Sequence, residues 1–484
     1  MTKLEAMRLT RKPKKKKRKN SVLNMKTKIL IICSLCCVGI YAQDTKKWTL
    51  EECINYAIEH NIDIRQRELN KQSAEIDVNT AKMSRLPDLN ARAEQGWNFG
   101  RSNNTTSGVY ENQNISNTNL GISSTTPLFT GFRISNEIEK SKLDLEAAIQ
   151  NLEKAKEDLS LNIASLFLQV LFNKELFKVN EEQLSLSKLQ VDRTEQLVDA
   201  GKVPASQLFD IKAQVAKDEV SVTQAQNNLQ LSLLELAQSL ELERNTSFDV
   251  EVPEFGDVFG NNIRSILPPT NIYDNAVGFK PQVKEQELRT ESAKKNLKIA
   301  QSGYMPTLNL GLGYNNGYYY NYSMEGKWIE NIIEPSKSYT WHNESFANQL
   351  KNNAGQYISL NLNVPIFNRF AVRNQVSAAK LNIENQQLIL ENVKKTLFKE
   401  IQTAYLNATA AQAKYNSSVK AVEASQESFK YANERYEIGK SSVFEFNEAR
   451  TKLIQSLSEQ IQAKYDFIFR SKILDFYNGL PMRL

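Results

Sequence analysis

Glu445 and Glu448 stand three residues apart in a helical stretch, so their carboxylates project from one face of that helix. If copies of the chain were gathered around an axis, the pair would recur as a ring of carboxylates. Such a ring favours cations, repels anions and can hold a divalent ion that blocks the path. The plainer alternative is two solvated glutamates on the polar side of an amphipathic helix. Other chemistry is sparse. The two histidines, His60 and His342, lie far apart in unlike contexts, which argues against a histidine metal site or an acid–base dyad. There is no phosphate-cradling glycine loop and no serine elbow, so no catalytic residue, metal site or cofactor is expected, and the chain reads as a non-enzyme. Pairs such as Glu139/Lys142 and Glu153/Lys156 read as solvated helix faces.

The elements that must carry such carboxylates are long helices. Ile138, Leu145, Leu152, Leu159 and Leu166 recur at sevens, and Ile149, Ile163 and Val170 fill the second seam position of a coiled coil. Past Gly201 the sevens resume at Leu208, Val215, Val222, Leu229 and Leu236. Val376, Ile383, Leu390 and Leu397 repeat the pattern, followed less regularly by Phe446, Leu453 and Phe467. Gly201-Lys202 and Gly439-Lys440 are the natural reversals, because glycine accepts the backbone angles that end a helix. A continuous helix from Arg133 to Ala200 would run about 100 Å.

The chain also repeats itself. Pro127-Leu128-Phe129 and Gly201-Lys202 return 238 residues later as Pro365-Ile366-Phe367 and Gly439-Lys440, with the 74-residue spacing between the two motifs unchanged. At an offset of 219, Ala57, Ile64, Pro87 and Leu89 return as Ala276, Val283, Pro306 and Leu308. The 19-residue difference between the offsets falls in one segment that tolerates insertion, as a surface loop does. We therefore expect a first repeat over 43–244, with a helix, a strand pair near 86–100 and 118–129, and a helical hairpin turning at Gly201. A linker over 245–271 precedes a second repeat over 272–480, with strands near 305–318 and 356–367 and a hairpin turning at Gly439.

Residues 1–42 stand apart: they hold 12 Lys/Arg against one acidic residue, so the net charge of +6 becomes −5 for the remainder. Arg11–Lys19 alone resembles a nucleic-acid patch. The next segment has the three-part form of a secretory signal, namely Met25-Lys26-Thr27-Lys28, an apolar run from Ile29 to Ile40, and Tyr41-Ala42-Gln43. Export is expected, with a start at Met25, cleavage after Ala42 and no nucleic-acid partner. Leu35-Cys36 lacks the small residues that precede a lipoprotein cysteine. Only Cys53 survives cleavage, which excludes an internal disulfide. Nothing after residue 42 approaches a transmembrane helix, so any membrane span must be made of strands.

Strand patterns are present. Leu89, Ala91, Ala93, Gln95, Trp97 and Phe99 alternate with polar residues and glycine, as do Leu308, Leu310, Leu312 and Tyr314, then Ile358, Leu360, Leu362 and Val364. Leu120, Ile122, Ser124 and Thr126 form a weaker fourth case. Segments of about ten residues with one apolar and one polar face suit strands between outer-membrane lipid and a watery lumen. Trp97, Phe99, Tyr314, Tyr318, Tyr319, Tyr320, Phe129 and Phe367 suit interfacial girdles, and Pro87, Pro127, Pro306 and Pro365 mark the strand–helix junctions. Tyr318–Tyr322 and Trp328–Trp341 occupy the longer inserted loop, which would cap the extracellular side or form an adhesive or phage-binding tip. Four strands cannot close a barrel, and open edges are forbidden in lipid. Two copies would give eight strands and three would give twelve, the number the polar inner faces favour. The rivals are a trimeric coiled-coil surface adhesin or stalk, against which the two matched hairpins argue, and a soluble periplasmic scaffold, against which the strands argue.

Over residues 43–480 the chain resembles the TolC-like outer-membrane efflux family. The resemblance rests on the tandem repeat, Trp48-Thr49-Leu50 through Asn61, Leu86-Pro87-Asp88-Leu89, the Pro-Leu-Phe and Pro-Ile-Phe strand ends, and Arg435-Tyr436-Glu437-Ile438-Gly439-Lys440. It implies a mixed α and β fold: four strands per chain, twelve per homotrimer, in an outer-membrane β-barrel continuous with a coiled-coil α-helical barrel across the periplasm. It also implies a passive exit duct whose helical turns dock a periplasmic adaptor protein serving an inner-membrane transporter. In that family an acidic ring follows the second turn and is latched by a tyrosine and basic residues. By register from Gly439 the ring falls on Glu445 and Glu448, the tyrosine on Tyr436 and a basic partner on Lys464. Ser441 stands where another basic residue belongs, and Gln207 where the first repeat should present an acid; Asp210, one turn beyond, is the substitute.

Overall fold

In the computed structural model the described residues are 47–103, 108–242, 248–253, 267–329 and 334–482, so the basic leader and signal peptide expected over 1–42 lie outside them. The first run comprises strand β1 (Lys47–Trp48), helices α1 (Leu50–His60) and α2 (Ile62–Met83), strands β2 (Asn90–Asn103) and β3 (Tyr110–Phe129), and helices α3 (Arg133–Asp199) and α4 (Ala205–Ser239). After strand β4 (Asp249–Val250) come α5 (Pro269–Phe279), α6 (Pro281–Ser302), β5 (Thr307–Asn321), the small strands β6 (Trp328–Ile329) and β7 (Tyr339–Thr340), α7 (Phe346–Asn352), β8 (Gly355–Asn363), α8 (Ala371–Glu437) and α9 (Val443–Tyr477). Helices of 11, 22, 67 and 35 residues recur in the same order in both halves, so the duplication is structural.

The heptads act as their period requires. α3 pairs with α4, α8 with α9, and α9 also lies along α3. Two apolar centres hold the bundle. One gathers Cys53 and Ala57 of α1, Ile163, Phe167 and Leu171 of α3, Leu236 of α4, Val250 of β4, and Ile461 and Ile468 of α9. The other gathers Ile272 and Ala276 of α5, Val283 of α6, Leu397 and Ile401 of α8, and Leu474 of α9. Each of the short helices α1 and α5 thus buries one side against its own repeat's long helix, which a straight heptad seam alone leaves uncovered. The segment expected to be a linker is partly structured: β4 pairs in parallel with β1, Trp48 opposite Val250, and α5 begins at Pro269.

The four long strands form one antiparallel sheet in the order β2-β3-β5-β8, leaving β2 and β8 as edges. Register gathers the separate alternations onto a single face. Ala91 lies opposite Ile122, and Ile122 opposite Tyr314; Leu312, Leu310 and Leu308 lie opposite Ile358, Leu360 and Leu362. That face is exposed. The opposite face carries Asn90, Ser123, Asn309 and Asn361, and it is also where the sheet's glycines lie. At Gly313 a Cβ would run into the Tyr357 ring, so only glycine leaves room for that tyrosine. Among the described residues no helix is long and apolar enough to cross a membrane.

The structure corrects several boundaries. β3 begins at Tyr110 rather than near 118, because Tyr110–Asn117 pairs with β2 although it is polar on both sides. β5 runs on to Asn321, and β8 stops at Asn363, short of Pro365. Pro127 sits inside β3 at a register shift rather than at the junction with α3. The chain reverses instead at Phe132 and Phe370, both left-handed, immediately before α3 and α8. Each is braced edge-on by the phenylalanine three residues earlier, Phe129 or Phe367.

Candidate functional site at the hairpin ends

Both hairpins reverse through the same backbone device. Gly201 and Gly439 are left-handed, with φ of 67° and 71°. The amides of Gly201 and Lys202 donate to Val198 O and Leu197 O at 2.9 Å each, while those of Gly439 and Lys440 donate to Tyr436 O and Arg435 O at 3.0 and 2.8 Å. This is a Schellman closure, which satisfies the last carbonyls of α3 and α8 and frees the chain to return.

The returning helices start differently. Ser442 caps α9: its Oγ accepts from Glu445 N at 3.2 Å, and Glu445 Oε2 accepts from Ser442 N at 3.4 Å and from the Ser441 hydroxyl at 2.6 Å. The Ser441 hydroxyl, then the Ser442 amide, hold the Glu445 carboxyl below its usual range. In the first repeat the equivalent of Ser442 is Pro204, which offers no side-chain cap to α4. Glu445, Glu448 and Asp210 are exposed and Gln207 is half-buried, so each lies near its hairpin end on the first turns of α9 or α4. Tyr436 stacks on Phe446 with centroids 5.0 Å apart, and Phe446 in turn meets Phe429 at 5.5 Å. Lys464 does not meet Tyr436 within the chain; it pairs with Glu175 of α3 at 3.1 Å, roughly 28 Å along α9 from Glu445 at 1.5 Å per residue.

A polar cluster above the turns was not anticipated. Arg450 of α9 is 3% exposed, and its Nη2 donates to Asp218 Oδ2 at 2.6 Å, Ser187 Oγ at 2.5 Å and Gln183 O at 3.0 Å. Its Nε donates to Gln183 Oε1 at 3.2 Å, the Ser187 hydroxyl also bonds Asp218, and Gln214 Nε2 donates to Asp218 Oδ1 at 2.9 Å. One guanidinium therefore ties α9 to both α3 and α4, with its partners satisfied as a buried charge requires. A signal existed in the sequence: Arg450 interrupts the apolar seam between Phe446 and Leu453, and Asp218 interrupts it between Val215 and Val222.

The histidines are accounted for locally. His60 stacks on Tyr56, and His342 Nδ1 lies 2.9 Å from Glu325 in the inserted loop. Among the described residues no three His, Cys, Asp or Glu side chains gather as a metal site. Burial pushes the Cys53 thiol up to about 12, which suits a packing role.

Comparison with known proteins matches the family described as outer membrane efflux protein over residues 53–241 and 272–472. Outer membrane protein TolC of Salmonella enteritidis is 22% identical over 425 residues, 87% of this chain and 79% of that protein. Toxin and drug export protein A of Aggregatibacter actinomycetemcomitans is 22% identical, across 87% of this chain and 83% of its own length. Among solved structures, CusC superposes with a TM-score of 0.71 at 16% identity, covering 90% of this chain and 92% of that one. The Campylobacter jejuni CmeC outer membrane channel gives 0.68 at 16% identity, covering 91% and 87%. These two share the fold.

Proposed function

The chain belongs to the outer membrane efflux protein family, and from that premise we propose that three copies close one barrel and one tunnel, a passive duct through which an energised partner complex drives its cargo. The observation that carries this reading is the open four-stranded sheet: one face is apolar and exposed, and both edge strands lack a neighbour among the described residues. In lipid those edges must be paired, and a second copy's β2 laid along β8 is the pairing the topology offers. Three copies supply twelve strands, enough for a lumen.

In that assembly Glu445 and Glu448 form the acidic ring at the periplasmic entrance, with Asp210 contributing from the first repeat and Tyr436 positioned beside it. The turns at Gly201-Lys202 and Gly439-Lys440 are the surface offered to a periplasmic adaptor, behind which an inner-membrane transporter supplies the energy. The chain itself performs no reaction. Purified protein reconstituted in a planar bilayer tests the reading. A cross-linked trimer carrying a cation-preferring current is expected, and a monomer without conductance would refute it.

A further inference from the structure

The apolar stripe of β8 does not end with its strand. Ile358, Leu360 and Leu362 are exposed, and the alternation continues past the last ladder pair at Asn363 through Val364 to Ile366, which is 96% exposed. Phe367 and Phe370 follow, also exposed, and Leu128 and Phe132 stand equally bare at the points of the first repeat equivalent to Ile366 and Phe370. In the barrel proposed above, the periplasmic surface of the bilayer crosses the chain at these strand–helix junctions, where exposed aromatic rings belong.

Charge changes sign at the same level. The joining segments 85–89, 125–137, 303–309 and 362–374 hold four arginines, Arg85, Arg133, Arg369 and Arg373, against two acids, Asp88 and Glu137, although the chain beyond residue 42 is net acidic. The segments at the other end of the sheet, 99–113 and 318–354, hold five acids against four bases, so the basic bias belongs to one end. Both acids of the collar are engaged, Glu137 with Arg133 at 2.8 Å and Asp88 with the Thr125 amide at 2.6 Å. Arg85, Arg369 and Arg373 are exposed and have no carboxylate partner among the described residues; Arg85 meets the Ser135 hydroxyl at 3.4 Å, and the Arg373 guanidinium lies 5.8 Å from the centre of the Phe370 ring. Arg373 also stands in the first turn of α8, which contains no acidic residue, so its charge opposes the helix dipole unless an anion joins it. Adding 238 to Gly131, Phe132, Arg133 and Ser135 gives Arg369, Phe370, Ala371 and Arg373. The phenylalanine is kept while the arginine moves around it. A fixed partner within the chain would hold the arginine at one position, whereas a mobile headgroup can be met from several.

We propose that Arg369 and Arg373, beside Phe370, bind the phosphodiester headgroup of an anionic phospholipid in the periplasmic leaflet, with Arg85 as a further contact. The inference rests on the trimeric barrel above, which carries these junctions to the membrane surface. Ile366 and Phe370 seat among the acyl chains, and the guanidinium groups, whose planar donors match phosphate oxygens in pairs, reach the headgroups just outside.

The test uses the full-length protein in detergent micelles doped with equal amounts of phosphatidylglycerol and phosphatidylcholine, with retained lipid counted by native mass spectrometry. The parent trimer should retain phosphatidylglycerol in preference. Arg369→Gln with Arg373→Gln should lower that preference roughly 25-fold, about fivefold for each arginine near a charged membrane surface. Lys351→Gln, which removes an exposed charge at the other end of the sheet, should leave it unchanged. Absence of a trimer in the parent spectrum would refute the function proposed above, and this inference with it. A trimer without the preference, a double variant that keeps it, or an equal loss in Lys351→Gln would overturn this inference alone. So would a preference abolished by prior incubation with millimolar inorganic phosphate, which would assign the arginines to the free anion.

Discussion

Placing arginine on neighbouring residues of β8 tests the assignment of the sheet's two faces. Leu360 and Asn361 are adjacent, yet Leu360 pairs with Leu310 on the apolar face while Asn361 pairs with Asn309 on the polar one. β8 has nine residues, which at about 3.4 Å each and a tilt near 40° rise roughly 23 Å, close to the apolar band of an outer-membrane barrel. Leu360 is one residue past the middle of the strand, so it lies about 3 Å from mid-depth. It is 66% exposed in the single chain, on the face that meets lipid in the barrel. Leu360→Arg should therefore cost about 2–4 kcal/mol per protomer, roughly a 30- to 700-fold shift in folding equilibrium. Asn361→Arg, facing water, should stay within about 0.5 kcal/mol of the parent. Urea-dependent refolding into phosphatidylcholine vesicles, followed by tryptophan fluorescence, measures both. Equal costs for the two variants, or a greater cost at Asn361, would refute the assignment of faces and with it the barrel.

Two further outcomes concern the hairpin ends. Glu445→Gln with Glu448→Gln should shift the reversal potential in a salt gradient toward zero, and an unchanged potential would remove these residues from the conduction path. The fold holds the Glu445 carboxyl below its usual range, so its contribution to the α9 cap is fully present above the unfolded-state value and disappears as pH falls through the folded one. Amide exchange at residues 443–446 should accelerate across that acidic window, and Ser442→Ala should produce a similar loosening at neutral pH, about 1 kcal/mol; exchange that ignores both changes would rule out the cap as the source.

The helices were legible because period is a local property. The sevens from Ile138 to Leu166 predict a rod, and α3 is an unbroken helix of 67 residues. The strands were legible only where lipid and water impose alternation. Tyr110–Asn117 belongs to β3 but lies toward the end of the sheet away from the helices, where its polar side chains show no period. Proline, a strong local signal, marks the strand–helix reversals in the sequence, whereas the left-handed backbone falls on Gly131-Phe132 and Arg369-Phe370. Phenylalanine gives no hint of that conformation in a sequence; the edge-on phenylalanine contact that stabilises it exists only after folding.

At the candidate ring, the sequence treats Glu445 and Glu448 as equals, and the local structure separates them. Glu445 occupies the third position of a capping box, with one carboxylate oxygen receiving both Ser441 Oγ and Ser442 N. A ring carboxylate engaged in this way keeps its charge but has little freedom to swing toward a passing ion. Glu448, one turn further on, has no such tie to the turn and lies on the exposed side of α9. Within a threefold assembly the six carboxylates would divide into three that stabilise the helix starts and three that can respond to cargo or to a divalent cation. The first repeat follows the same division in reduced form: its capping position is Pro204, its Glu445 equivalent is the uncharged Gln207, and the acid it retains, Asp210, is the equivalent of Glu448. Of the two ring positions, the duplicated chain thus keeps a carboxylate in both halves only at the one that the helix cap does not require.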